Sequence, residues 1–459
     1  MKSNKEATRE KIISTICDII EKDPESNIEA IIKIAKTVVR NEYDRKGVEM
    51  VEHFYREVPS MKPLLHRITT EIDPKILRTF FRNFVANAIW NGGEKREKFY
   101  KEHGAHVPFA LLISPSMKCN LRCTGCYAAD WDKSKGLTYE EVDRIVGEAR
   151  DLGIYFMFIL GGEPYFVDYM WKIYEKYNDV VFLTFTNGSL FTDEVADKIK
   201  ELKNVYPMFS LEGYEKETDE RRGAGVYAKV MEGMEKLKSR GIPFGVSSAT
   251  GAMNVDTVIS DEFIDNLMDK GSFINWYFMF MPIGEKPDVS LMLNPEQRLR
   301  MGKRSNEIRH TKPCLTIDFF NDAPHVGGCI AGSYYCHVTA SGDVEPCVFA
   351  HFTVDNVREK SLGEVFQSQF FKELMNRQPY SDNLLKPCMM IDNTNVVREI
   401  VQKVGARPTD ESARAMIYDD EFKKKLDNLS AEFTPYAEKA WRELYPEKCD
   451  KVPKRMDMM

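Results

Sequence analysis

The chain has 459 residues, with 64 Lys and Arg against 71 Asp and Glu, a net charge of −7. That length exceeds one compact core and calls for roughly two to four folding units. A composition 43% hydrophobic and 29% charged is that of a globular protein, and the acidic balance argues against a nucleic-acid partner.

The opening MKSNKEATREK has no apolar segment behind it. No stretch reaches the ~18 uninterrupted apolar residues of a membrane span. A cytoplasmic protein is expected, with its ten cysteines unpaired. Their grouping is the informative feature. Three lie at Cys119, Cys123 and Cys126, and five lie between Cys314 and Cys388; Cys17 and Cys449 stand alone.

Residues 1–105 read as a helical domain. The clearest helix is DPKILRTFFRNFVANAIWNGG (73–93), with Asp73 as N-cap and Pro74 in the first turn. Ile76, Leu77, Phe80, Phe81, Phe84, Val85, Ala88 and Ile89 form one apolar stripe. Asn91-Gly92 is the expected stop, and Arg78, Arg82 and Asn83 the opposite face. Such a helix either docks on the next domain or, with basic residues opposing bulky aromatics, lies on a membrane surface.

From residue 107 strands and helices alternate. VPFALLIS (107–114), IYFMFIL (154–160), VVFLTF (180–185), VYPMFSL (205–211), IPFGVSSA (242–249) and INWYFMFM (274–281) are apolar runs. Amphipathic helices separate them; the one at 137–153 opens with a Thr138–Glu141 capping box. Six βα units imply a parallel sheet covered by helices. An open barrel and a doubly wound sheet both fit; the expected fold is α/β, a partial (β/α)6 barrel. Cysteines, GGEP, TNG, SLEG and PIGE all fall at strand C-terminal ends, the edge where α/β chemistry sits. Residues 106–310 form this barrel, 311–400 a small cysteine-rich extension, and 401–459 a helical tail. HVTASGDVEPCVF (337–349) reads as a hairpin turning at Ala340-Ser341-Gly342-Asp343.

The stretch MKCNLRCTGCYA (117–128) spaces its cysteines C-x3-C-x2-C on a loop between strand and helix. Three thiolates there can hold three corners of a cuboidal iron–sulfur cluster, leaving one iron open. Zinc with a distant fourth ligand is the rival, and a nucleophilic cysteine a weaker one. No GxGxxG follows a strand, which argues against a dinucleotide enzyme.

The cysteine spacing after the first strand, with GGEP ending the next, resembles the radical S-adenosylmethionine (radical SAM) superfamily over about residues 107–310. The resemblance implies that Cys119, Cys123 and Cys126 bind a [4Fe–4S] cluster whose open iron is chelated by SAM. Gly161, Gly162, Glu163 and Pro164 then match the motif that meets the methionine amino group. Thr186 and Asn187 match positions near the ribose, and Ser210 and Glu212 a family pattern usually written with Asp. Arg222 stands where relatives bind the methionine carboxylate, though Arg221 is adjacent. Gly125 departs from the family, which often has an aromatic there. The implied chemistry is reductive cleavage of SAM and hydrogen abstraction by a 5′-deoxyadenosyl radical. No catalytic residue beyond the cluster is assigned.

Cys329, Gly342 and Cys347 follow C-x12-G-x4-C and resemble the front half of the SPASM extension of radical SAM enzymes. Only Cys388, in KPCMM, follows. The likeness implies one auxiliary [4Fe–4S] cluster on Cys329, Cys347 and Cys388. Cys336 is either the fourth ligand or a buried strand thiol, and a structural zinc site is the alternative for the whole group. Cys314 reads as a core thiol; His337 and His351 are near enough in sequence to be ligands, but suit turn and strand roles better. The family implies an electron donor such as a flavodoxin or ferredoxin. A peptide or protein is the expected substrate, with a lipid or haem-type precursor at the membrane surface as the alternative. That alternative brings peripheral membrane contact, and the non-enzyme alternative is a zinc- or cluster-binding scaffold.

Overall fold

The computed structural model describes residues 42–449 except 285–286, together with 14–16, 18–19, 28–29, 32–33 and 36. Cys17, most of the first forty residues and the last ten lie outside the described residues.

The six expected strands are β1 (Ala110–Ile113), β2 (Phe156–Ile159), β3 (Val181–Thr186), β4 (Val205–Ser210), β5 (Gly245–Thr250) and β6 (Ile274–Met279). All pair in parallel, in chain order. Strands buried on both faces need continuous apolar sequence, and β1 shows it, as does β3 but for Thr184 and Thr186. Two more strands, from the segment assigned to the extension, continue the parallel array. β7 (Leu315–Asp318) pairs with β6, and β8 (Tyr335–Val338) pairs with β1. The hairpin is present: β9 (Asp343–Glu345) runs antiparallel to β8. β11 (Asp355–Asn356) ends the ten-stranded sheet beyond it.

The sheet curls. Phe158 on β2 and Trp276 on β6, with three strands between them, have ring centroids 5.5 Å apart. At the open seam Phe319, just past β7, meets Tyr335 of β8 at 5.7 Å. The partial barrel is thus closed at this seam by side chains, among the described residues, and not by a strand ladder.

The helix beginning at Pro74 starts as expected, with Asp73 Oδ1 accepting from Lys75 N at 2.8 Å. It does not stop at Asn91-Gly92. A π-helical stretch, Arg82–Asn91, passes into the helix Gly92–His103, which ends at Gly104 with φ +61°. Gly92 serves close packing: a Cβ there would overlap the Gly153 carbonyl. The π register also turns Asn83 inward, away from the solvent face expected for it. Asn83 is fully buried and donates to the Asn178 carbonyl at 2.8 Å. The aromatic stripe is spent on the barrel. Phe80 meets Tyr206 at 5.3 Å and Phe84 meets Phe156 at 5.4 Å, near the strand N-termini. The stripe that motivated a membrane-surface role is therefore a docking face. No described helix is long and apolar enough to cross a membrane.

The segment after residue 400 is not only helical. β12 (Arg407–Pro408) pairs with β10 (Phe352–Thr353). It leads into helices Glu411–Tyr418 and Asp420–Leu444.

Candidate functional site

The loop from Ser114 to Thr138 joins β1 to the helix Tyr139–Asp151 and carries Cys119, Cys123 and Cys126 without regular structure. Its shape comes from its neighbours. Gly162 N donates to Ser116 O at 3.0 Å and Glu163 N to Lys118 O at 2.8 Å. A Cβ on Gly161 or Gly162 would overlap those carbonyls, so the motif ending β2 needs both glycines to reach the loop. Thr124 N is bonded to Arg221 O at 2.9 Å on the far side. Phe280, at the end of β6, fills the space where Gly125 would carry a side chain. The aromatic that Gly125 lacks is supplied from another strand.

Glu163 is buried and faces β3, with Pro164 starting a short 3-10 turn behind it. Its carboxylate accepts from Thr186 Oγ1 at 2.7 Å and Asn187 N at 2.8 Å. Burial pushes its pKa up to about 7 against those donors. Thr186 thus spends its hydroxyl on Glu163. Asn187 Nδ2 reaches Asn120 Oδ1 at 3.1 Å and Cys119 Sγ at 3.6 Å, so it touches the cysteine loop itself.

Glu212, also buried, gathers both arginines. Arg222 Nε donates to its Oε1 at 2.9 Å and Arg221 Nη1 to the same oxygen. Burial alone would raise the carboxyl pKa; Arg221 and Arg222 outweigh it and hold it below the ordinary range. Burial raises the Cys126 thiol, and the same two arginines work against that. Cys119 is also raised by burial. Sulfur donors beside two guanidinium groups suit an anionic iron–sulfur group better than a hard cation with oxygen ligands. Among the described residues no three His, Cys, Asp or Glu side chains converge closely enough to hold a single ion.

Ser210 ends β4, paired with Ser247 at the lumen mouth. Below lie Phe158, Phe185, Trp276 and Phe278, each within 6.0 Å of another. Phe349 caps them, 6.1 Å from Phe278 and 5.9 Å from Tyr127 of the cysteine loop.

Phe349 also belongs to the second cysteine group, donating its N–H to Cys347 Sγ at 3.4 Å. Tyr335 Oη donates to the same sulfur at 2.7 Å. Burial, and after it Cys347, Cys329 and Cys388, hold the Tyr335 phenol well above its ordinary range. Cys336 is different. It is fully buried, and burial is the one influence that raises its thiol. The Cys388 loop is braced by Asp392, whose Oδ2 accepts from Cys388 N at 3.0 Å and from Arg298 Nη2 at 2.9 Å. Cys314 is a buried thiol beside Asn275.

His337 and His351 are committed elsewhere. His337 lies between Ser114 Oγ and Glu345 Oε2, each 2.8 Å away. His351 pairs with Asp410. Trp131, from the first loop, packs on both rings at 5.5 and 4.7 Å. Tyr335, Arg298 and Phe280 were not singled out by sequence; only Tyr335, beside Cys336, lay within a motif.

Two family models match. Residues 113–275 match the radical SAM superfamily, and residues 329–390 match SPASM, an iron–sulfur cluster-binding domain. An AdoMet-dependent heme synthase of Methanosarcina barkeri is 22% identical over 59% of this chain and 85% of its own. The sporulation killing factor maturation protein SkfB of Bacillus subtilis is 22% identical over 57% of this chain and 65% of its own. Among solved structures, Streptococcus suis SuiB bound to S-adenosylmethionine superposes with a TM-score of 0.55 at 18% identity. That match covers 78% of this chain and 87% of SuiB. Residues 113–275 are thus a radical SAM domain, and residues 329–390 an iron–sulfur cluster-binding domain of the SPASM type.

Proposed function

We propose that this enzyme cleaves SAM reductively and abstracts hydrogen from a side chain of a peptide or protein. The carrying observation is the Cys119–Cys126 loop, pinned by the Gly161–Glu163 backbone and flanked by Arg221 and Arg222, above an aromatic lumen. In this reading Cys119, Cys123 and Cys126 hold one [4Fe–4S] cluster, and Cys329, Cys347 and Cys388 the auxiliary one. The first cluster, when bound, supplies the electron that breaks the C5′–S bond of SAM.

The chain's own groups do the rest. Glu212 holds the two guanidinium groups in place to meet the SAM carboxylate. Glu163 locks the end of β2 to the end of β3, so the Gly161–Pro164 backbone faces the methionine end. Asn187, Thr186 and Ser210 edge the adenosine side. The aromatic lumen excludes water from the reacting carbon. In this reading residues 106–310 with β7 and β8 form the catalytic unit and the rest of 311–400 the cluster extension, supported by the described parts of 1–105 and 401–459.

A peptide is favoured by two observations. Trp276 Nε1 is buried without a hydrogen-bond partner among the described residues, a donor that an amide carbonyl satisfies. Two of the similar proteins are SkfB and SuiB, the latter solved bound to the precursor peptide SuiA. A haem-type precursor is the second reading, favoured by the aromatic lumen and the similarity to heme synthases. The test is anaerobic turnover with dithionite in deuterium-labelled cell fractions. Label should enter 5′-deoxyadenosine from the peptide fraction. Label from the tetrapyrrole fraction alone would select the second reading, and a colourless protein releasing no 5′-deoxyadenosine would reject both.

A further inference from the structure

We propose that Tyr335 is a working part of the auxiliary iron–sulfur site, its hydroxyl donating to the Cys347 thiolate and raising the reduction potential of the cluster, and that Cys336 lies outside the site. This rests on the reading of Cys329, Cys347 and Cys388 as ligands.

Strand geometry separates the two neighbours. Tyr335 and Cys336 pair with Ala110 and Leu111 in β1, so their side chains leave opposite faces of the sheet. Tyr335 points to the seam, against Phe319, and its hydroxyl reaches Cys347. Cys336 points the other way and is sealed from solvent. A slip of one residue would bring Cys336 to the thiols, but it would also turn His337 away from both Ser114 and Glu345. The register is therefore fixed from both sides.

The distance says what Tyr335 does. Adjacent corners of a cubane hold their terminal ligand atoms much further apart than 2.7 Å. Tyr335 Oη and Cys347 Sγ cannot both be terminal ligands at that separation. They are donor and acceptor. The cysteines that would hold the auxiliary cluster are then Cys329, Cys347 and Cys388, without Cys336. A hydrogen bond to a thiolate draws negative charge from sulfur and favours the reduced cluster, so the potential rises. Cys347 and Cys388 also accept backbone N–H groups from Phe349 and Met390, at 3.4 Å each. Those contacts survive side-chain substitution, whereas the Tyr335 contact is removed by one oxygen.

The experiment uses the full chain with Cys119, Cys123 and Cys126 all changed to Ala, so that the auxiliary cluster is observed alone. Tyr335→Phe should keep the iron content of this parent and shift the midpoint potential, read by EPR-monitored redox titration, to a more negative value. Cys336→Ser should leave iron and EPR signal unchanged. An unmoved midpoint in Tyr335→Phe, or loss of the cluster in Cys336→Ser, overturns the inference. Should Tyr335→Phe not fold, electron–nuclear double resonance on the parent still decides it. An exchangeable proton coupled more strongly than a backbone amide is expected, and its absence overturns the proposal. Cys347→Ala tests the underlying reading separately: a retained cluster signal there rejects the ligand set, whatever Tyr335 does.

Discussion

The main-chain N–H of Glu163 meets the carbonyl of Lys118 at 2.8 Å, so the end of β2 is stitched to the residue before the first cysteine. Only a side-chain-free neighbour permits this. Gly162→Ala should push the loop off β2 at an overpacking cost of about 1–3 kcal/mol. The expected result is ~10-fold or greater loss of 5′-deoxyadenosine formation, with the auxiliary EPR signal intact. Equal loss of both signals would mean that the glycine serves the whole fold.

Glu212 is the common partner of Arg221 and Arg222. Glu212→Gln keeps its size and removes its charge, leaving two largely buried cations. Losing one partner of such a buried pair costs about 3–5 kcal/mol, part of it in local order. SAM affinity by calorimetry should fall ~10-fold or more while first-cluster iron is retained. Unchanged affinity would remove the arginines from the SAM site.

Arg298 supports the other site at a distance. Its guanidinium makes two bonds to Asp392, packs on Phe433 with 4.0 Å to the ring centroid, and through Asp392 holds the Cys388 N–H. Arg298→Met should strip the auxiliary iron, about half of the total, and spare the first cluster. Full iron content in the folded variant would show that the Cys388 loop holds itself.

Asp318 predicts a pH effect. It is fully buried at the end of β7, and burial lifts its carboxyl pKa to about 6 although Asn321 and Ser305 donate to it. A raised carboxyl pKa favours the folded state in its protonated form. The contribution is complete below the unfolded value of 3.8 and is lost as pH rises through about 6. The difference is about 3 kcal/mol. Thermal unfolding of the native sequence should show this loss between pH 4 and 6, and Asp318→Asn should flatten it. Parallel profiles would assign the pH dependence to other groups.

The six βα units were legible because continuous apolar runs and capping boxes are local signals. Thr138 and Glu141 form the box expected of them. β7 and β8 were not legible as barrel strands. LTID is short and starts with a half-exposed Leu315, and YCHV sits among the cysteines. Asn91-Gly92 misled because a glycine reads the same whether it ends a helix or lets another backbone approach. Asn83 was placed on the wrong face because a π-helical stretch breaks the 3.6-residue period. The first cysteine loop was visible as spacing, but its supports at Phe280, just past β6, and at Arg221, in the helix Glu215–Arg222, come from distant elements. The division between Tyr335 and Cys336 depended on strand register, which no motif encodes.

Residues far downstream also complete the first loop. Ser412 Oγ accepts from Gly284 N at 3.0 Å, and the Gly284 backbone lies against the Cys126 carbonyl. Thr409 bonds Glu345, and Asp410 holds His351 under Trp131. During synthesis the first three cysteines leave the ribosome long before these residues exist. Their loop therefore reaches its final form only once the late segment has folded back.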